Sequence, residues 1–143
     1  MLVSHILREK GRDVLAIRPD ATLFEAARIL SKNRIGALVV QDDDGGLNGI
    51  ISEREIVRAI AEEGAPGLAT TVGERMVSDV ATCEENDTIA EIMEMMTRCR
   101  FRHLPVVENG RVAGIISIGD VVKIRIAETL REAQALKEYI ATG

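Results

Sequence analysis

Gly49-Ile50-Ile51-Ser52 and Gly114-Ile115-Ile116-Ser117 decide how this chain is read, because one tetrapeptide occurs twice in 143 residues. The match extends outward from both copies. Displaced by 66 positions, Thr22 falls on Thr88, Glu25 on Glu91, Arg34 on Arg100, Leu38 on Leu104 and Val40 on Val106. One residue is then lost in an acidic turn, so that Gly45 falls on Gly110 and the tetrapeptides superimpose. Such a period is longer than the roughly 20–50 residues of a solenoid repeat, and two copies do not make an array. The pattern predicts two pseudo-symmetric halves sharing one body, with a groove between them.

Each copy reads in one order. Thr22 and Thr88 start helices, each with a glutamate three residues on (Glu25, Glu91) as in a capping box. Apolar residues then recur at helical spacing: Leu23, Ala26, Ala27 and Leu30, then Ile89, Ile92, Met93 and Met96. Ala37-Leu38-Val39-Val40 and Leu104-Pro105-Val106-Val107 read as buried strands. Gly-containing turns at residues 42–46 and 108–110 lead into return strands that end in the tetrapeptide. A second helix is predicted to begin at Glu53 and at Gly119. Short strands are expected at residues 14–17 and 80–82, ahead of each helix. Residues 3–7 and 72–76 also look alike, so each copy includes a lead-in helix. The fold class is α/β (α+β): unit 1 spans 1–62, a linker 63–71, unit 2 72–125, and a C-terminal helical extension 126–143.

Composition narrows the function. Hydrophobic residues make up 46% and aromatics 2%, so the core is aliphatic. A net charge of −5 and few stacking aromatics argue against a nucleic-acid partner. No stretch reaches the ~20 apolar residues that span a bilayer, and no signal-peptide pattern opens the chain, so a soluble cytoplasmic protein without a membrane partner is expected. Cys83 and Cys99 with His5 and His103 lack zinc-ligand spacing. Cys99, on an apolar helical stretch, reads as a small buried hydrophobe. There is no nucleophile–base–orienter set and no phosphate-loop pattern around Gly45-Gly46.

The helix starts PDAT and ENDT, the segment RFRHLPVVENGRVAGIIS, and the closing GIISEREIV and GIISIGDVV together resemble the cystathionine-β-synthase (CBS) domain, and the pair resembles the tandem arrangement called a Bateman module. The resemblance covers about residues 2–125. It implies an adenosine site at the last strand and following helix of each unit. The residues supply a physical reason for one. Ser117 and its neighbour Ile118 stand where a strand becomes a helix, whose first N–H groups favour an anionic phosphate. Asp120, three residues on from Ser117, is placed to accept hydrogen bonds from ribose hydroxyls, although Ser117 and Asp120 could equally serve as helix caps. In the first copy Ser52 is followed by Arg54 and by Glu55, one methylene longer than the family's aspartate. That site is therefore the weaker one, or it lends Arg54 and Arg58 to phosphates held by the other half.

Arg102 and His103 replace Gly36 and Ala37 of the first copy. The resemblance implies that basic residues here reach phosphates; a solvated strand end is the alternative, and Arg100 reads as one. Thr82 resembles the threonine that lines the family's adenosine pocket, and Ala16 replaces it in the first copy. The second site is thus preferred. The implied ligand is AMP, ADP, ATP, NAD or S-adenosylmethionine, with no catalytic cofactor. The leading reading is a non-catalytic sensor that relays occupancy to a separate effector protein. A ligand-independent dimerisation scaffold is the rival, and an enzyme comes third. Val122, Ile126, Leu130, Ala133, Leu136 and Ile140 trace an apolar stripe on the tail. It is expected to add contacts to a homodimer or to brace its own pair.

Overall fold

The computed structural model describes residues 1–142. Its order is α1 (Val3–Lys10), β1 (Ala16–Ile17), α2 (Leu23–Asn33), β2 (Ala37–Gln41), β3 (Leu47–Ser52), α3 (Glu53–Glu63), a 3-10 turn (Ala65–Ala69), α4 (Val72–Arg75), α5 (Ile89–Cys99), β4 (His103–Glu108), β5 (Arg111–Ser117) and α6 (Ile118–Thr142). In the first unit β1 runs parallel to β2, and β2 antiparallel to β3. In the second, β4 and β5 form the hairpin.

The threonines cap as the spacing predicts, but the glutamates do not close the box. Thr22 and Thr88 each accept a bond from the N–H three residues on, Glu25 and Glu91, at 3.2 Å. Both helices end in an arginine held in the left-handed region, Arg34 at φ 53° and Arg100 at φ 58°. The second hairpin turns on Asn109 and Gly110, both at positive φ, which matches the right-handed twist of the strands.

Four expectations are corrected. Residues 80–82 form no strand: the second unit keeps only a parallel bridge from Cys83 to Val106, and Thr82 is exposed outside any strand. The strand expected at 14–17 shortens to Ala16–Ile17. Cys99 is exposed while Cys83 is buried, because Cys99 sits in the last turn of α5, at the edge of the apolar face, where the chain already turns away. The C-terminal helix is continuous from Ile118, one residue before the expected start. Its final predicted residue, Gly143, lies outside the described residues.

The two cores are built by exchange. Val3, Ile6 and Leu7 of α1 are buried with Ile89, Ile92, Met96, Leu104 and Ile116 of the second unit. Val72 of α4 is buried with Leu23, Leu30, Leu38 and Ile51 of the first. Paired bridges lock the crossing, Leu2 to Thr88 and Thr22 to Thr71. Each lead-in helix therefore completes the opposite half, and the shared hydrophobic burial makes the halves one body.

The same crossing explains the repeated glycines. Val77 and Ile50 exchange backbone bonds of 2.8 and 2.9 Å, which brings the segment after α4 over β3. A Cβ at Gly49 would lie 2.5 Å from the Val77 carbonyl oxygen, whereas one at Gly114 would lie 2.6 Å from the end of the Leu7 side chain. Backbone cannot yield as a leucine can. Gly49→Ala is therefore expected to cost about 2–3 kcal/mol and Gly114→Ala about 1 kcal/mol, within the range for overpacking. Urea unfolding of both variants checks this; equal costs would mean that the two crossings are equally compliant.

Candidate functional site

A cavity of about 190 Å³ opens in the groove between the halves. From the first unit it takes Gly36, Ile50 and the start of α3: Ser52, Glu53, Arg54 and Glu55. Arg100, Phe101, Arg102 and His103 come from the second unit, and Val77 and Val80 from the segment between α4 and α5. The pseudo-symmetry creates this meeting. β2 and β4 start side by side across the groove, so His103 lies against Gly36, where an added Cβ would be 3.4 Å from its ring.

The cavity sets three arginines beside two glutamates, Glu53 and Glu55. Arg54, Arg100 and Arg102 line the cavity, and none has a carboxylate partner among the described residues. Guanidinium groups left unpaired in an acidic chain are forks of donors available to an anion. Burial holds the His103 imidazole below its ordinary pKa; Lys10 and Arg102 add to the effect, and Asp120 and Glu53 oppose it. The ring is therefore neutral at pH 7 until an anion approaches.

Glu55, by contrast, is committed. It is buried, and its Oε1 accepts from the Ser52 backbone N–H at 2.8 Å and from the Ser52 hydroxyl at 2.6 Å. The carboxylate that would meet a ribose is thus a helix cap in the unliganded chain.

The second motif repeats the cap. The Ser117 N–H donates to Asp120 Oδ2 at 2.9 Å, and the Asp120 N–H to the Ser117 hydroxyl at 3.2 Å. The Ile118 N–H, expected to be free for a phosphate, donates to the Arg102 carbonyl at 2.8 Å. Lys10 reaches in from α1, its ammonium 2.6 Å from Asp120 Oδ2 and 3.0 Å from the Ile115 carbonyl. Burial pushes the Asp120 carboxyl up, and the Lys10 ammonium and the Ser117 donors outweigh it, leaving the pKa below the ordinary value. The cavity beside this motif is only about 90 Å³, lined by Ile6, Glu9, Lys10, Asp120, Lys123 and Ile124.

The structure thus brings Ser52, Arg54 and Glu55 together with Arg102 and His103, drawing on both halves; of the second motif only Asp120 lines the separate, smaller opening, and Ser117 and Ile118 line neither. Thr82 and Arg58 are exposed and line neither cavity. Arg100, read from sequence as a solvated strand end, faces the larger one, as does Phe101. Their signal was the run Arg100-Phe101-Arg102-His103 standing where the first copy has Arg34-Ile35-Gly36-Ala37. Among the described residues no helix is long and apolar enough to cross a membrane, and no cluster of His, Cys, Asp and Glu is set to hold a metal.

Comparison with known proteins agrees with the fold. The chain matches the CBS domain family over residues 3–62 and again over 72–127. It is 32% identical to a mitochondrial CBS domain-containing protein of Arabidopsis thaliana, over 99% of this chain and 72% of that protein. The crystal structure of a CBS-domain containing protein from Agrobacterium tumefaciens superimposes with a TM-score of 0.85 at 50% identity, covering 87% of this chain and 99% of the other. The CBS domain pair of protein MJ0100, crystallised in complex with 5′-methylthioadenosine and S-adenosyl-L-methionine, gives a TM-score of 0.80 at 28% identity, covering 90% and 98%. The chain belongs to the CBS domain family and carries two CBS domains in tandem.

Proposed function

We propose that this CBS pair is a non-catalytic sensor of a phosphate-bearing adenosine ligand such as AMP, ADP, ATP or NAD. The observation that carries the reading is the convergence of Arg54, Arg100 and Arg102, all unpaired among the described residues, on one cavity fed by both halves. The adenosine ligands of the MJ0100 pair support the ligand class. In this reading Arg102, His103 and Arg54 take the phosphates, Phe101 with Ile50, Val77 and Val80 packs the base, and Ser52 and Glu55 meet the sugar after giving up their mutual cap. Ser117, Ile118 and Asp120 form a second site that Lys10 closes in the free protein; S-adenosylmethionine, which carries no phosphate, fits the arginine-lined cavity less well.

A cavity of about 190 Å³ is smaller than the roughly 300–1,000 Å³ of common ligand sites. Binding therefore has to widen the groove, and a ligand acts only through its differential affinity for the two geometries. The wider geometry is what a separate effector protein reads, through a homodimer of the pair. The rival reading, a ligand-independent dimerisation scaffold, predicts no thermal response to any of these molecules.

Thermal denaturation tests the reading. AMP at 100 times its dissociation constant is expected to add about 2.7 kcal/mol, a rise of roughly 5–10 °C for a domain of this size, with GMP and adenosine giving less. Because phosphate raises the pKa of His103 from its depressed free value, binding takes up a proton. Affinity for AMP should accordingly rise as pH falls from 8 towards 6, and His103→Gln should remove that histidine-dependent part. The left-handed caps supply a second arm. Replacing either arginine with glycine relieves strain worth up to about 1 kcal/mol. Arg34→Gly should raise stability and leave AMP binding intact, whereas Arg100→Gly should raise stability and weaken binding about tenfold. No shift with AMP, ADP, ATP, NAD or S-adenosylmethionine would sink the sensor and leave the scaffold.

A further inference from the structure

Helix α6 has two apolar faces, and the fold uses one. At about 100° per residue, Val121 and Ile124 lie on the side buried in the second core. Val122, Ile126, Leu130, Ala133, Leu136 and Ile140 gather on the opposite side. None of the described residues covers that side: Ile126 is 56% exposed, Leu130 65% and Ile140 69%, and residues 129–142 are exposed throughout. The stripe therefore does not brace its own pair. An apolar face of this length is a docking surface.

We infer that a second copy of this chain covers it, with the two α6 helices antiparallel and crossing near Thr129. The inference deepens the homodimer of the proposed function and rests on it, while standing apart from the ligand. Charge and apolar pattern favour this arrangement together. With the two-fold axis at Thr129, Ile118 faces Ile140 of the other copy, Val122 faces Leu136, and Ile126 falls beside Ala133, a small residue that lets the helices approach. Arg125 and Glu132 flank the face on the same rim, three residues' span to either side of the axis within one position, so each meets its opposite charge on the other copy, twice by symmetry. A parallel pair would instead set Arg125 beside Lys123 of its neighbour, like against like. Lys137 is the one charged residue within the face, and its flexible stem lets the ammonium reach the rim. Among the described residues Arg125 pairs only with Glu128, at 3.0 Å, a mostly buried carboxylate that also meets the amino terminus at 3.3 Å, and Glu132 has no partner.

Disulfide trapping in the full chain tests the register. Cys99 is exposed and is first replaced by serine; Cys83 is buried. In that background Thr129→Cys should cross-link to itself across the axis. Ile140→Cys should cross-link only when mixed with Ile118→Cys. Arg125→Glu should weaken association at least tenfold by analytical ultracentrifugation, and adding Glu132→Arg to the same chain should restore it. A dimer that lacks the Thr129 link, or in which Ile140→Cys links to itself, overturns this pairing and leaves the dimer standing. A chain that stays monomeric at every concentration overturns both.

Discussion

The reciprocal exchange of lead-in helices is the constraint on which the rest depends. Neither half closes its core alone: the second needs Val3, Ile6 and Leu7 from the start of the chain, and the first needs Val72 from the middle. A unit of about 60 residues buries a smaller fraction of its surface than a larger domain. Sharing a helix with its twin offsets that weakness. It also fixes the geometry: once α1 and α4 cross, β2 and β4 must start on either side of one groove, and the chain segment at Val77 must run over Gly49.

The groove inherits the symmetry, and the side chains break it. His103 and Gly36 stand near the pseudo-axis, one on each half, so bulk and charge enter from the second copy into space the first leaves empty. The result is two openings of different character. One carries arginines without a carboxylate partner among the described residues, and a neutral imidazole; the other carries a lysine already bound to an aspartate. Divergence between the two copies at these few positions makes two related clefts differ, one lined by arginines and one closed by the Lys10–Asp120 pair.

Much of the fold was legible because local chemistry specifies it. The capping threonines, the apolar periods of α2 and α5, the glycine turns and the doubled tetrapeptide all speak within a few residues. What was not legible is non-local. Residues 3–7 and 72–76 looked alike, but nothing in them says that each packs on the other half. The strand expected at 80–82 shrank to the Cys83 bridge, since a two-residue pairing leaves almost no pattern in sequence. The site divided in the same way. Ser52, Arg54, Glu55, Arg102 and His103 were readable as candidates; that they share one cavity across the two halves, and that Lys10 occupies Asp120, follows only from how α1 crosses.

Native-state amide hydrogen exchange on Leu7→Ala tests the exchange itself. Leu7 lies in the first copy by sequence and in the second core by structure. The account predicts that protection falls first and most in α5, β4 and β5, more than 80 residues away along the chain, while β2 and β3 lose less. Loss of protection confined to the first half, with the second unchanged, would contradict it.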